Sequence, residues 1–329
     1  MKQIPWIDVF KGIAILVVVV AHCSPDSLVK YLLWIPLPPF FFLSGYLYKP
    51  EVSFKVFLKK KTLRLLVPYA AFLILLGLPK VIFFLKEEPA AGAIDVIQLI
   101  GLLFYGGKEL GGIFATFWFI SCLFFTQQLY HFLYLKTFSK KWLFYGSLVL
   151  LYVLATLNSG YYALSFPWNI NVVALSIFYF YFGHLARKLE PIPRGVKAVF
   201  LLFIFPALAL DLSGIISFEF DMRYSFYGYP VFNLAVGVSF SLWFQELSKW
   251  ISRFGPGQKI LSEMGRASLV IMFLHLAVIK GIKDVFHFNS AVLLVILGLI
   301  IPYILYRVFR LYPLTRKLFL GDFSKELFN

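Results

Sequence analysis

The sequence predicts an all-α, polytopic membrane helix bundle: one domain over residues 1–329, about ten transmembrane helices, and both termini cytoplasmic. Three observations predict it. Hydrophobic residues make up 60% of the chain, charged residues only 14%, and the mean hydropathy is +0.82. Soluble domains are about half apolar and about a quarter charged. Ten apolar segments are long enough to cross a bilayer, which takes ~20 residues of helix. Lysine and arginine crowd every second loop. The net charge of +15 follows from that crowding, the positive-inside bias of membrane proteins, and implies no nucleic-acid partner.

The first segment, 6–23, contains VFKGIAILVVVVAH, an apolar run that opens on Lys11 and closes on His22. At about 100° per residue the eleven steps between them return to within about 20° of the start, so both lie on one helix face, roughly 16 Å apart. Asp8, three residues before Lys11, falls near the same face. A snorkelling lysine with an interfacial histidine is one reading; a functional polar stripe is the other. Asp8 and Lys11 interrupt the run, and His22-Cys23 lacks the small residues of a cleavage site, so the segment is expected to stay as a helix rather than be removed.

The second segment, 31–48, reads WIPLPPFFFLSGYLY. Pro36, Pro38 and Pro39 remove backbone donors and are expected to break the helix. Ser44 and Gly45 allow close approach of another backbone or a ligand. The third, 64–85, is entered through KKKTLRLLVPY, a cytoplasmic basic cluster whose lysines suit anionic membrane lipid. Arg64, deeper, is placed to bind a phosphate bidentately. The stretch 94–105 is too short to span comfortably and reads as interfacial or re-entrant, followed by the glycine-rich turn GGKELGG.

Five of the remaining segments, 113–135, 142–158, 169–186, 227–248 and 290–311, are ordinary spans; Trp118 opens the first of them, either as an interfacial belt residue or as part of a site. Asp211 sits in the outer third of 198–216. The loop that follows, SFEFDMRYSFYGYP, gathers Glu219, Asp221, Arg223, Tyr224 and Tyr227, the carboxylates and aromatics that sugar hydroxyls and rings need. His275 lies mid-span in 267–284, either buried and satisfied or catalytic, while His131, His184 and His287 read as structural. Cys23 and Cys122 carry neither metal spacing nor a disulfide framework, and no metal is expected.

Orientation follows from the loops. One side holds 24 Lys and Arg, the other 6, with Lys80 left inside a span. The heavy side is cytoplasmic and includes both termini. Lys11 is then in the cytoplasmic half of the first helix and His22 near the outer face.

These residues resemble the acyltransferase-3 family of integral-membrane enzymes. Its signature is a basic residue, ten residues, then histidine in the first helix, here Lys11 and His22 within WIDVFKGIAILVVVVAH. PLPPFFFLSGYLY resembles the family's second helix, LRLLVPY its third, and TFWFI and SLVIMFLHL later blocks, so the resemblance covers nearly the whole chain. Lysine where many members have arginine resembles the fucose-acetylase branch; it keeps the charge and loses the bidentate fork. No hydrolase-like domain is appended, which leaves the membrane domain to act alone or with separate glycan-synthesis partner proteins.

The resemblance implies acyl-CoA, in particular acetyl-CoA, as co-substrate and an extracytoplasmic glycan or glycolipid hydroxyl as acceptor, in the cell membrane. The inner basic groups Lys11 and Arg64, with Ser44, would hold the donor. Its thin pantetheine arm would span the Lys11-to-His22 distance. His22 would act as general base or as acyl carrier, with Asp8 and Lys11 in the same polar stripe. Trp118, Asp211, Glu219, Asp221, Arg223, Tyr227 and His275 are the candidates for the acceptor side. A transporter or exporter of a glycan or small molecule, or a non-catalytic partner of a polysaccharide synthase, are the rival readings.

Overall fold

A computed structural model describes residues 4–23, 37–87, 93–162, 164–216, 220–287 and 290–323. Among them the chain is helical throughout, with no strand beyond a single bridge between Asp221 and Phe226. The helices are α1 (Pro5–Cys23), α2 (Leu37–Tyr46), α3 (Phe54–Lys61), α4 (Val67–Glu87), α5 (Ala93–Tyr105), α6 (Phe117–Thr137) and α7 (Lys141–Leu157). They continue as α8 (Ile170–Lys188), α9 (Arg194–Leu212), α10 (Pro230–Ile251), α11 (Gly255–Arg266), α12 (Ser268–Phe286), α13 (Ala291–Phe309) and α14 (Pro313–Leu320).

Seven helices among the described residues are long and apolar enough to cross a membrane: α1, α3–α4 taken as one rod, α6, α7, α8, α9 and α13. The other three expected spans differ for identifiable reasons. The first part of segment 31–48 lies outside the described residues. In α10, Asn233, Gln245 and Glu246 dilute the apolar run, and α12 carries Lys280, Lys283 and Asp284 near its end. The short helix α5 has the length expected of an element that does not cross.

Within the described part of the second helix, Leu37–Tyr46, Pro38 and Pro39 stand in the first described turn and the helix continues past them; Pro36 lies outside the described residues. The basic cluster is helical: α3 runs into a π-helical turn, Thr62–Leu66, before α4 begins. Such a turn adds one residue to the helical ladder and rotates everything after it.

Two close crossings organise the bundle. A Cβ on Gly12 would overlap the Leu261 carbonyl, and a Cβ on Gly265 would overlap the Asp8 carbonyl, so α1 and α11 meet backbone to backbone. Gly45 against Phe180, and Gly183 against Phe42, do the same for α2 and α8. Without a hydrophobic drive between helices in lipid, such small-residue contacts provide the packing. Around them an aromatic core joins four helices. Phe72 of α4 stacks on Phe273 of α12 at 4.7 Å, Phe273 meets Phe117 of α6 at 4.7 Å, and Phe319 of α14 meets Phe72 at 5.1 Å. This core presses α12 against α6 and α1, and so sets where its neighbour residues Met272 and His275 stand.

Candidate active site

Because α1 is one uninterrupted helix, Lys11 and His22 share a face at roughly 16 Å, as eleven residues of regular helix require. Each opens on a different chamber. Lys11 lines one of about 260 Å³, together with Ser44 of α2, Leu65 of the π-turn, and Ser268 and Leu269 of α12. Its Nζ is 3.3 Å from Asp8 Oδ1. Ser44 Oγ accepts a hydrogen bond from Gln127 Nε2 at 2.7 Å, which fixes the serine in the wall.

His22 lines the second chamber, of about 590 Å³. Its Nδ1 is 2.7 Å from the Val18 carbonyl, one turn back along α1. A carbonyl can only accept, so Nδ1 carries the proton and Nε2 keeps a lone pair, the form a general base requires. His275 repeats the arrangement: its Nδ1 donates to the Ile271 carbonyl at 2.7 Å. The two rings meet edge to face with centroids 5.2 Å apart. His275 is fully buried, and its Nε2 has no hydrogen-bond partner among the described residues. It backs His22 rather than lining the chamber.

The rest of that chamber's wall comes from three directions. Thr116 and Trp118 stand at the start of α6, Val18 and Ala21 on α1, and Asp221, Arg223 and Tyr224 on the loop before α10. The loop is held by a polar knot. Arg223 donates from Nη2 to the carbonyls of Lys108 (2.8 Å) and Leu110 (2.7 Å). Asn169 accepts from the Lys108 N–H at 2.6 Å and donates to the Arg223 carbonyl at 2.8 Å. Three loops far apart in sequence thus become one rim. Gly106, Gly107, Trp168 and Asn169 all adopt positive φ to form it. Asp221 Oδ1 accepts the N–H groups of Arg223 (2.8 Å) and Tyr224 (3.3 Å). Although the side chain reaches solvent, desolvation by the surrounding wall raises its pKa, against the lowering effect of those N–H donors and the Arg223 guanidinium.

The structure sorts the candidates. His22, Trp118, Asp221 and Arg223 share one chamber, and Lys11 and Ser44 the other. Asp8 and Lys11 do not reach the reacting end of the stripe: Asp8 is roughly 21 Å from His22 along the helix. Arg64 lies exposed in the π-turn, beside rather than in the wall. Asp211, in the last turn of α9, lines neither chamber. Tyr227 is not an acceptor contact. It is 1% exposed, its N–H bonds Ser159 Oγ and its carbonyl accepts from Asn233. Tyr224, exposed and in the wall, has the position expected of it. Glu219 lies outside the described residues. Of the other buried histidines, His131 pairs with Tyr48 at 2.7 Å and His184 with Tyr130 at 2.6 Å.

Sequence reasoning missed Phe119 and Met272, which belong to the walls of both chambers. An apolar residue in an apolar helix gives no sign of what lies on either side of it.

No curated protein and no solved structure matches the chain. A protein-family model, described as an acyltransferase domain, matches residues 4–307 and so takes in α1 with both of its chambers, the rim loops and α12. The chain belongs to the acyltransferase-3 family and is a membrane acyltransferase.

Proposed function

We propose that the protein moves an acyl group, acetyl in the first instance, from cytoplasmic acyl-CoA to a hydroxyl of an extracytoplasmic glycan or glycolipid. One observation carries this reading: a single helix face presents Lys11 to one chamber and a proton-accepting His22 to the next, and the chambers share two wall residues. In this reading the chain crosses the cell's inner membrane about ten times, with α10, α12 and the segment containing α2 as the further spans and both termini cytoplasmic. The Lys11 chamber faces inward. CoA phosphates lie against Lys11, with Arg64 at the approach and Ser44 beside the arm. The lysines of α3 contact anionic membrane lipid, and Lys60 is already paired with Glu51 at 2.7 Å.

The chemistry then balances without a further reactant. His22 Nε2 takes the acceptor hydroxyl's proton as its oxygen attacks the thioester carbonyl carbon. The tetrahedral intermediate collapses, the C–S bond breaks, and the thiolate leaves with the proton from the imidazolium. The products are an ester and the free thiol of CoA. His275 stands behind the imidazole, edge to face with it, and holds the ring in its orientation. Asp221, Arg223, Tyr224 and Trp118 form the surface on which the acceptor rests. Glycan-synthesis proteins are the expected partners that deliver it.

The direct test is transfer of labelled acetyl from acetyl-CoA to a glycan by the purified protein in detergent. Labelled ester is expected; its absence across a panel of glycan and glycolipid acceptors overturns the reading. Orientation is tested with Phe226→Cys, at a residue 45% exposed on the rim, in a chain whose native Cys23 and Cys122 are buried. A membrane-impermeant maleimide should label it on intact cells. Labelling that needs permeabilisation reverses the topology and the direction of transfer.

Lys11 gives a sharper test of the donor end. Lys11→Ala should raise the KM for acetyl-CoA about tenfold, the loss of one charge-assisted contact, with a smaller change in kcat. Lys11→Arg should retain activity, since the charge stays. Wild-type kinetics for both variants across donor concentrations would make Lys11 only the partner of Asp8.

A further inference from the structure

We propose that Phe119 and Met272 form a closed neck between the two chambers, which seals the membrane when no donor is bound and opens only around the pantetheine arm of acyl-CoA. The inference rests on the donor path of the proposed function. Both residues are 3% exposed, and both line both chambers. On one side lie Lys11, Ser44 and Ser268; on the other lie His22, Thr116, Asp221 and Arg223. Two chambers that each hold charged and polar side chains in otherwise apolar walls, placed end to end across a bilayer, would give water and protons a path through it. An apolar constriction of this kind stops water and ions by dewetting.

The two jaws differ in stiffness. Phe119 is braced edge-on by Phe41 at 5.2 Å and tilted against Phe40 at 5.5 Å, both on α2. Its ring has little freedom to leave. Met272 has its backbone fixed, because its carbonyl accepts the Thr116 hydroxyl at 2.7 Å. Its side chain is another matter: unbranched, with three rotatable bonds and a soft thioether, it adapts its shape at low cost. Met272 is therefore the moving jaw and Phe119 the fixed one. A thin chain of methylenes and amides fills the gap that a turned methionine leaves, so the neck stays blocked while the donor is threaded. Once CoA withdraws, the thioether closes behind it.

The experiment uses proteoliposomes with an entrapped pH-sensitive dye and an imposed proton gradient. Wild type should hold the gradient. Met272→Ala, confirmed as a monodisperse folded protein, should leak protons faster by about tenfold or more. Met272→Leu, which restores apolar volume, should be tight again. CoA present on both sides should slow the Met272→Ala leak by occupying the neck. Vesicles of Met272→Ala and Phe119→Ala that stay as tight as wild type overturn the seal. A leak that CoA leaves unchanged overturns the passage. Neither result depends on acetyl transfer, so failure of the acyltransferase chemistry in the wild type is read separately from failure of the neck.

Discussion

His22→Gln should lower single-turnover acetyl transfer by ~10²–10⁴, the range over which general-base loss is measured. Glutamine matches histidine roughly in volume and can donate an N–H to the Val18 carbonyl, as His22 Nδ1 does at 2.7 Å. It has no lone pair that takes a proton at neutral pH. The substitution therefore removes the base and leaves the wall. Donor binding should survive, because the proposed donor site sets the phosphates at the Lys11 end, roughly 16 Å away along α1. Transfer and CoA binding are measured on one preparation, with size-exclusion behaviour and thermal unfolding as controls for folding. Near-normal transfer by His22→Gln ends the catalytic role. Loss of transfer together with CoA binding makes the residue structural.

The second large effect concerns packing. Gly12→Ala and Gly265→Ala should each destabilise the bundle by about 3 kcal/mol, the upper end for overpacking, because each new methyl meets backbone. The Leu261 carbonyl stands where one methyl would go and the Asp8 carbonyl where the other would. Neither can rotate aside as a side chain does. The helices must part, and α11 carries the chain straight into Ser268 and Leu269, part of the Lys11 chamber. A lower unfolding temperature and a raised donor KM should therefore appear together. Gly146→Ala is the counter-case. A Cβ there meets nothing within 4 Å, inside α7. Relief of glycine's helix penalty should leave that variant as stable as wild type or more so, by up to about 1 kcal/mol. Equal losses at Gly12 and Gly146 would show that α1 and α11 do not cross backbone to backbone.

What was legible in the sequence was what depends on a single helix. The shared face of Lys11 and His22 follows from the helical repeat, and α1 is regular over both. The shortness of α5 and the glycine turn after it were equally local. Pairings between distant helices were not legible. Nothing in GPGQKILSEMGR says that it lies along α1, because Gly12 and Gly265 become informative only as a pair. The aromatic loop misled in one residue: Tyr227 is buried, with its backbone bonded to Ser159 and Asn233, while Tyr224 is exposed. A single sequence lists such tyrosines as equals. The neck escaped for the same reason, since Phe119 and Met272 meet only once α6 and α12 are side by side.

The crossing of α1 and α11 also bears on how the protein is made. Helix α1 meets backbone to backbone a partner, α11, that lies far later in the chain. Until α11 is synthesised, the Gly12 surface of α1 lacks its backbone partner, and until α12 follows, Lys11 and His22 lack Ser268 and His275 beside them. Contacts so distant in sequence form late and leave the nascent chain exposed to wrong partners meanwhile. A chain stopped before α11 would hold most of its spans and still lack the backbone partner of α1. Truncations there should be cleared by membrane proteases, whereas those after α14 should accumulate.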